Sequence, residues 1–91
     1  MYKIVYTNVM RKSTKLMQKR GKDMSKLRDV IEMLATGVEL PQKYLDHSLK
    51  GNYCGYRECH IEPDWLLVYK IDKGALLLTL TKTGTHSDLF I

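Results

Sequence analysis

Residues 53–83 decide the fold: Tyr53-Cys54-Gly55-Tyr56-Arg57-Glu58-Cys59-His60-Ile61, then Glu62-Pro63-Asp64, then Trp65-Leu66-Leu67-Val68-Tyr69-Lys70-Ile71, then Asp72-Lys73-Gly74, then Ala75-Leu76-Leu77-Leu78-Thr79-Leu80-Thr81-Lys82-Thr83. Three runs rich in branched and aromatic residues are separated by two clusters of turn formers, which reads as three consecutive strands. Turns this short force neighbouring strands to pair antiparallel. Period-two alternation places Tyr56, Glu58 and His60 on one face, with Arg57, Cys59 and Ile61 on the other. In the last run it places Leu76, Leu78 and Leu80 together, against Leu77, Thr79, Thr81 and Thr83.

Upstream, Tyr2, Ile4 and Tyr6 alternate with Lys3 and Val5, so residues 2–6 read as a first strand. Asn8 is placed to cap a helix carrying Val9, Met10, Leu16 and Met17 on one side. Gly21 breaks it, and Asp23 caps a second helix. There Met24, Leu27, Val30, Ile31, Leu34 and Ala35 form an i, i+3, i+4, i+7 stripe that Gly37 terminates. Leu40-Pro41 opens an irregular connection through His47 to Gly51, long enough to suggest a functional loop. The order β-α-α-β-β-β predicts an α+β domain over residues 1–91. A helical hairpin would pack on one face of an antiparallel sheet, leaving the other face partly open for a ligand.

The chain has 91 residues, 44% of them hydrophobic, which suits one modest core. Its apolar runs are too short for a signal peptide or a membrane span, so a cytoplasmic protein without membrane partners is expected. Cys54 and Cys59 are too few for a disulfide scaffold. Both are expected on one strand as reduced, buried thiols. Charge is uneven: residues 1–30 hold nine Lys/Arg against two acids, a net +7, and the remainder six against eight, a net −2. A basic N-terminal half suits a phosphate backbone, although a solvated helix face explains lysines equally well.

The three histidines lie beside turns or the chain end, in Asp46-His47-Ser48, Glu58-Cys59-His60 and Thr85-His86-Ser87-Asp88. Histidine is the side chain best suited to move protons near neutral pH. Histidines and carboxylates in a basic protein make RNA cleavage the first chemistry to test. His60 shares a face with Glu58, and the following turn presents Asp64 near it. His86 can fold back over the open face, and His47 can reach the same rim. No local ligand spacing announces a metal, and Cys59 and His60 point apart, which disfavours a thiol nucleophile.

The block from Gly55 to Tyr69, with Leu40-Pro41, Asp46-His47, Leu49-Lys50-Gly51, Lys19-Arg20-Gly21-Lys22-Asp23-Met24 and Thr83-Gly84-Thr85-His86-Ser87-Asp88-Leu89-Phe90, resembles the YafQ family of the RelE/ParE superfamily. The resemblance implies a RelE-like fold and a type II toxin that binds the ribosome and cuts messenger RNA (an mRNA interferase). It implies a neutralising partner, a small antitoxin of the DinJ/RelB kind, and no cofactor. It places an active site at His47, His60, Asp64, His86 and Phe90. Glu58 stands where aspartate is expected, with the same charge on a longer arm. On this reading His86 is the general acid, Asp64 and His60 form the base side, His47 lies near the phosphate, and Phe90 stacks on a base. Lys12, Lys15, Lys19, Lys22 and Lys26 are the expected ribosomal RNA contacts. The competing readings are a ParE-like gyrase inhibitor, which needs no histidine set, and a non-catalytic RNA-binding module.

Overall fold

The computed structural model describes residues 1–90, the last by its backbone alone. The elements run β1 (Lys3–Tyr6), α1 (Asn8–Lys19), α2 (Met24–Ala35), β2 (His47–Ser48), β3 (Arg57–Glu62), β4 (Trp65–Asp72), β5 (Leu77–Gly84) and α3 (His86–Phe90). Short 3-10 turns at Gln42–Tyr44 and Gly51–Tyr53 flank β2. The strand order is β1-β5-β4-β3-β2. The sheet is mixed rather than purely antiparallel, because β1 pairs with β5 in parallel while the other pairs are antiparallel. The helical hairpin between β1 and the rest of the sheet lets β1 return in the same direction as β5.

Thr7, not Asn8, caps α1: its hydroxyl accepts the Met10 amide at 2.9 Å and donates to the Thr81 carbonyl at 2.6 Å. Asp23 caps α2 through the Ser25 amide, as expected. Gly37, at a φ of +78°, closes α2 by donating to the Leu34 carbonyl. The helix stripes bury Met10, Met17, Leu27, Val30, Leu34 and Ala35 against Cys59, Ile61, Trp65, Leu67, Tyr69, Leu78 and Leu80. Each large side chain buried this way contributes about 1.5–3 kcal/mol. Val9 and Leu16, expected inside, are exposed on α1. Only Cys59 is a buried thiol; Cys54 lies exposed in the turn before β3.

Two bulges control which way side chains point. In β5, Val68 pairs with Lys82 but Tyr69 pairs with Leu80, so Thr81 is an extra residue. Beyond it the alternation is inverted. Thr83 turns into the core, where its hydroxyl accepts the Trp65 indole N–H at 2.9 Å and donates to the Leu66 carbonyl at 2.6 Å. It is therefore separated from Thr79 and Thr81, with which strict alternation had grouped it. In β3, His60 pairs with Leu66 and Glu62 with Trp65, leaving Ile61 extra. That swings Glu62 toward the helices, where it meets Lys22 at 3.0 Å and Lys26 at 2.9 Å.

Candidate active site

The face opposite α1 and α2 carries a smaller apolar patch of Leu66, Val68 and Leu89, with Leu49 and Tyr56 against it. Leu89 seats α3 on this patch, so His86 lies over the open face as anticipated. Two adjacent cross-strand rows organise the polar groups. One runs His47–Glu58–Val68–Lys82 across β2, β3, β4 and β5. The next runs His60–Leu66–Gly84, and His86 follows two residues beyond Gly84. Residues far apart in sequence thus arrive side by side because ladder register puts them there.

Glu58 sits at the centre. Its side chain is 7% exposed, and its Oε1 lies 3.4 Å from His47 Nε2 and 3.8 Å from His60 Nε2. The His47 and His60 rings are 6.4 Å apart, and His60 and His86 are 5.8 Å apart. His47 Nδ1 donates to the Leu45 carbonyl at 2.7 Å, and His60 Nδ1 to the Pro63 carbonyl at 3.2 Å. A carbonyl only accepts, so both Nδ1 atoms carry protons and both Nε2 atoms face the site. Leu45 adopts a left-handed conformation, φ 50°, uncommon for a branched side chain. That conformation belongs to the turn that aims its carbonyl at His47.

Asp64 pairs with His86, not with His60. One oxygen, Oδ1, accepts the His86 amide at 3.0 Å and the His86 Nδ1 at 2.7 Å. These two bonds, the amide first, hold the Asp64 carboxyl below its ordinary range. His86 is therefore held through Nδ1, the way a carboxylate fixes the tautomer and orientation of an imidazole.

The His47 side is anchored from behind. Asp46 accepts from Arg57 Nε at 3.2 Å and Nη2 at 3.0 Å and from the Tyr69 hydroxyl, while Arg57 Nη1 donates to Ser48 Oγ at 2.8 Å. Burial pushes the Tyr69 hydroxyl and the Cys59 thiol upward, so both stay protonated near neutrality. Buried and protonated, the Cys59 thiol is poorly suited to act as a nucleophile.

Sequence reasoning brought His47, His60, Asp64 and His86 to one face, and the structure does so. It missed Glu58 as their centre, although Glu58 had been placed on the His60 face. It also missed Lys82, which strict alternation assigns to the helix side and the β5 bulge turns onto the site face. Its Nζ donates to the Tyr53 hydroxyl at 2.6 Å and lies over that ring. The Phe90 side chain falls outside the described residues. Among the basic residues, Lys12, Lys15 and Lys19 are exposed on α1, whereas Lys22 and Lys26 hold Glu62. Their attraction lowers the Glu62 carboxyl, Lys26 first.

Glu58, His60 and His86 also offer one ligand atom each, all within 4.8 Å of one another. One carboxylate oxygen with two imidazole nitrogens suits zinc or copper. Glu58 and His60 lie two residues apart on one face of β3, but His86 arrives from α3, so local spacing alone could not announce the full set.

Residues 2–91 match the model of the family described as the bacterial toxin YafQ of type II toxin–antitoxin systems. The chain belongs to this family. It is 47% identical to the mRNA interferase toxin YafQ of Escherichia coli K12, over 96% of this chain and 94% of that one. The crystal structure of the E. coli DinJ–YafQ complex superposes with a TM-score of 0.92 at 42% identity, covering all of both chains. A metal-bound toxin from Helicobacter pylori superposes with a TM-score of 0.93 at 43% identity, over 99% of this chain and all of that one. The YafQ-family fold is thus the α+β architecture described above. No helix among the described residues is long and apolar enough to cross a membrane.

Proposed function

We propose that this chain is the toxin of a type II toxin–antitoxin pair, an endoribonuclease that cuts messenger RNA on the ribosome. The observation that carries the chemistry is the meeting of two histidine–carboxylate sets on one face: His47 and His60 around Glu58, and His86 on Asp64. RNA cleavage needs a base to take the ribose 2′ proton, positive charge at the phosphate, and an acid for the departing 5′ oxygen. His86, charged through Nε2–H and held by Asp64, supplies the acid. His60 with Glu58 beside it takes the 2′ proton, and the 2′ oxygen then attacks phosphorus to leave a 2′,3′-cyclic phosphate and a 5′ hydroxyl. His47 and Lys82, in the row through Glu58, supply positive charge beside the phosphate. Asp64 works on the acid side, which revises its assignment beside His60.

The donor set of Glu58, His60 and His86 fits a divalent ion, which when bound would lend Lewis-acid charge to a phosphate oxygen. A bound ion would occupy the ring nitrogens that the proton transfers above need, His60 as the base and His86 as the acid. Added Zn²⁺ is therefore expected to slow cleavage.

Exposed Lys12, Lys15 and Lys19 on α1 support ribosome binding through phosphates, and Phe90 would stack on a base beside the cut. The same basic, partly open surface supports pairing with a small acidic antitoxin of the DinJ kind, and a cytoplasmic setting follows from the ribosomal target. The test is single-turnover cleavage of messenger RNA on programmed ribosomes by purified protein. New RNA ends bearing cyclic phosphate are expected, with release from toxicity on antitoxin co-expression. Inhibited DNA supercoiling without RNA cleavage would overturn the proposal in favour of a gyrase target.

A further inference from the structure

The acid side of the site stands on an unlikely platform. Helix α3 spans five residues, His86–Phe90. A helix this short does not hold itself in water, so contacts outside it must set where His86 points. Leu89 provides the apolar one. The polar ones converge on a single carboxylate, Asp88. Its Oδ2 accepts the Thr85 amide and the Thr85 hydroxyl, both at 2.9 Å, and its own amide donates to Thr85 Oγ1 at 3.2 Å. That reciprocal exchange is a capping box with aspartate in the third position.

From outside the helix, Arg20 closes on the same carboxylate with both terminal nitrogens, Nη1 to Oδ2 at 2.6 Å and Nη2 to Oδ1 at 3.1 Å. Arg20 is itself fixed as the C-terminal cap of α1, its amide bonded to the Leu16 carbonyl. Gly84 completes the fit. A Cβ there would fall 2.9 Å from Asp88 Cβ and 3.0 Å from Oδ2, so a glycine is needed for the carboxylate to come this close.

We propose that Arg20 and Asp88 are positioning residues for His86, a clasp between α1 and α3 that seats the first turn of α3 so that the His86 amide and ring meet Asp64. The proposal rests on His86 acting as the acid. The clasp is partly exposed, with side chains 40% and 24% accessible, so it contributes little to global folding. Its effect is local, on the angle of a helix that carries one reacting imidazole. Arg20 lies within the basic run Lys19–Lys22 and would otherwise be counted among the RNA contacts. The fork geometry instead commits it to Asp88, whose carboxyl it holds far below the ordinary range.

The experiment compares Arg20→Gln, Asp88→Asn and the double variant in three measurements: single-turnover cleavage on programmed ribosomes, ribosome affinity, and exchange of the His86 amide in the free protein. Asparagine still accepts the Thr85 amide, so the cap survives while the charge is lost. Each single variant is expected to slow cleavage by about tenfold to a hundredfold, the scale for a misplaced reacting group. Ribosome affinity should hold, and the His86 amide should exchange faster. The double variant should be no slower than the worse single, because the two residues act through one contact. Arg20→Lys, which keeps the charge and loses the fork, should fall between wild type and Arg20→Gln. Weakened ribosome binding with an unchanged rate for bound complexes would make Arg20 an RNA contact and overturn the clasp. So would additive rate losses, or wild-type cleavage by Asp88→Asn. A His86→Ala protein that cuts at the wild-type rate would overturn the acid assignment itself, whatever Arg20 and Asp88 do.

Discussion

The two sides of the site are built by opposite means. His47, Glu58 and His60 stand on β2 and β3, in ladder register, with Glu58 nearly buried between the two imidazoles. His86 and Asp64 stand on a five-residue helix and a turn, 57% and 66% exposed. A strand side chain keeps its place as long as the sheet does, because moving it breaks backbone bonds on both sides. A short helix can pivot on its few contacts. The strand side is therefore inherited from the core, whereas the helix side is set by local polar contacts that can fail while the core stays folded. Each prediction below strains one side and spares the other.

The largest effect is expected on the helix side. His86→Gln keeps the backbone bond to Asp64 and cannot transfer a proton, so single-turnover cleavage should fall by about 10²–10⁴-fold. An exposed residue of this kind costs about 0.5 kcal/mol or less when replaced, so chemical denaturation should barely change. Wild-type cleavage by this variant would move the acid to the strand side.

Next comes Glu58→Gln. It preserves shape and removes the charge shared by His47 and His60, and a loss of about 10²-fold is expected at unchanged ribosome affinity. Combined with His86→Gln it should add little, since both serve one proton-transfer sequence. A near-normal rate would mean that the carboxylate only fills its niche.

Thr83→Val tests the scaffold. It keeps the side chain's shape but strands the buried Trp65 indole N–H and frees the Leu66 carbonyl. A cost of about 1–3 kcal/mol in urea unfolding is expected, with the cleavage rate of folded protein near normal. No shift in the unfolding midpoint would show that water replaces the hydroxyl.

The smallest effect is on pH. Asp88 and Asp64 are both held below the ordinary carboxylate range. A carboxyl depressed on folding stabilises α3 docking above its unfolded value and loses that contribution as pH falls through the lowered one. Docking should therefore persist through mild acid and fail only below the usual carboxylate range. His86 and Leu89 amide shifts followed by NMR would show this; in Asp88→Asn the Asp88 part of the transition should vanish. Docking lost already near pH 4–5, above the usual aspartate value, would contradict the assignment.

The elements themselves were legible because hydrophobic period and turn chemistry are local. The α2 stripe, the Asp23 cap and the turn after Glu62 appear where local rules put them. The turn after Asp72 instead runs on through Ala75 and Leu76, so Leu76, expected on the strand with Leu78 and Leu80, is exposed at a φ of +55°. The meeting of His47, His60, Asp64 and His86 on one face was legible from strand alternation, from the turn after Glu62 and from the resemblance of the block from Gly55 to Tyr69. The direction of β1 was not legible, since nothing in four residues says which strand they will pair with. The orientation of Glu62, Lys82 and Thr83 was not legible either. A bulge is one residue of mismatch between two strands and leaves no mark on either strand read alone.

What the amino-acid sequence determined by itself was therefore the order of elements, the apolar faces, the charge asymmetry and the identity of the groups able to move protons. Only the tertiary structure decided their partners. It put Asp64 on His86 instead of His60, made Glu58 the centre of two histidines, turned Lys82 toward the site, and drew Lys22 and Lys26 to Glu62. The physical reason is common to all of these. Propensity and periodicity act over a few residues, whereas a side chain's partner is set by register between strands and by where a five-residue helix comes to rest, and both are settled only when the core closes.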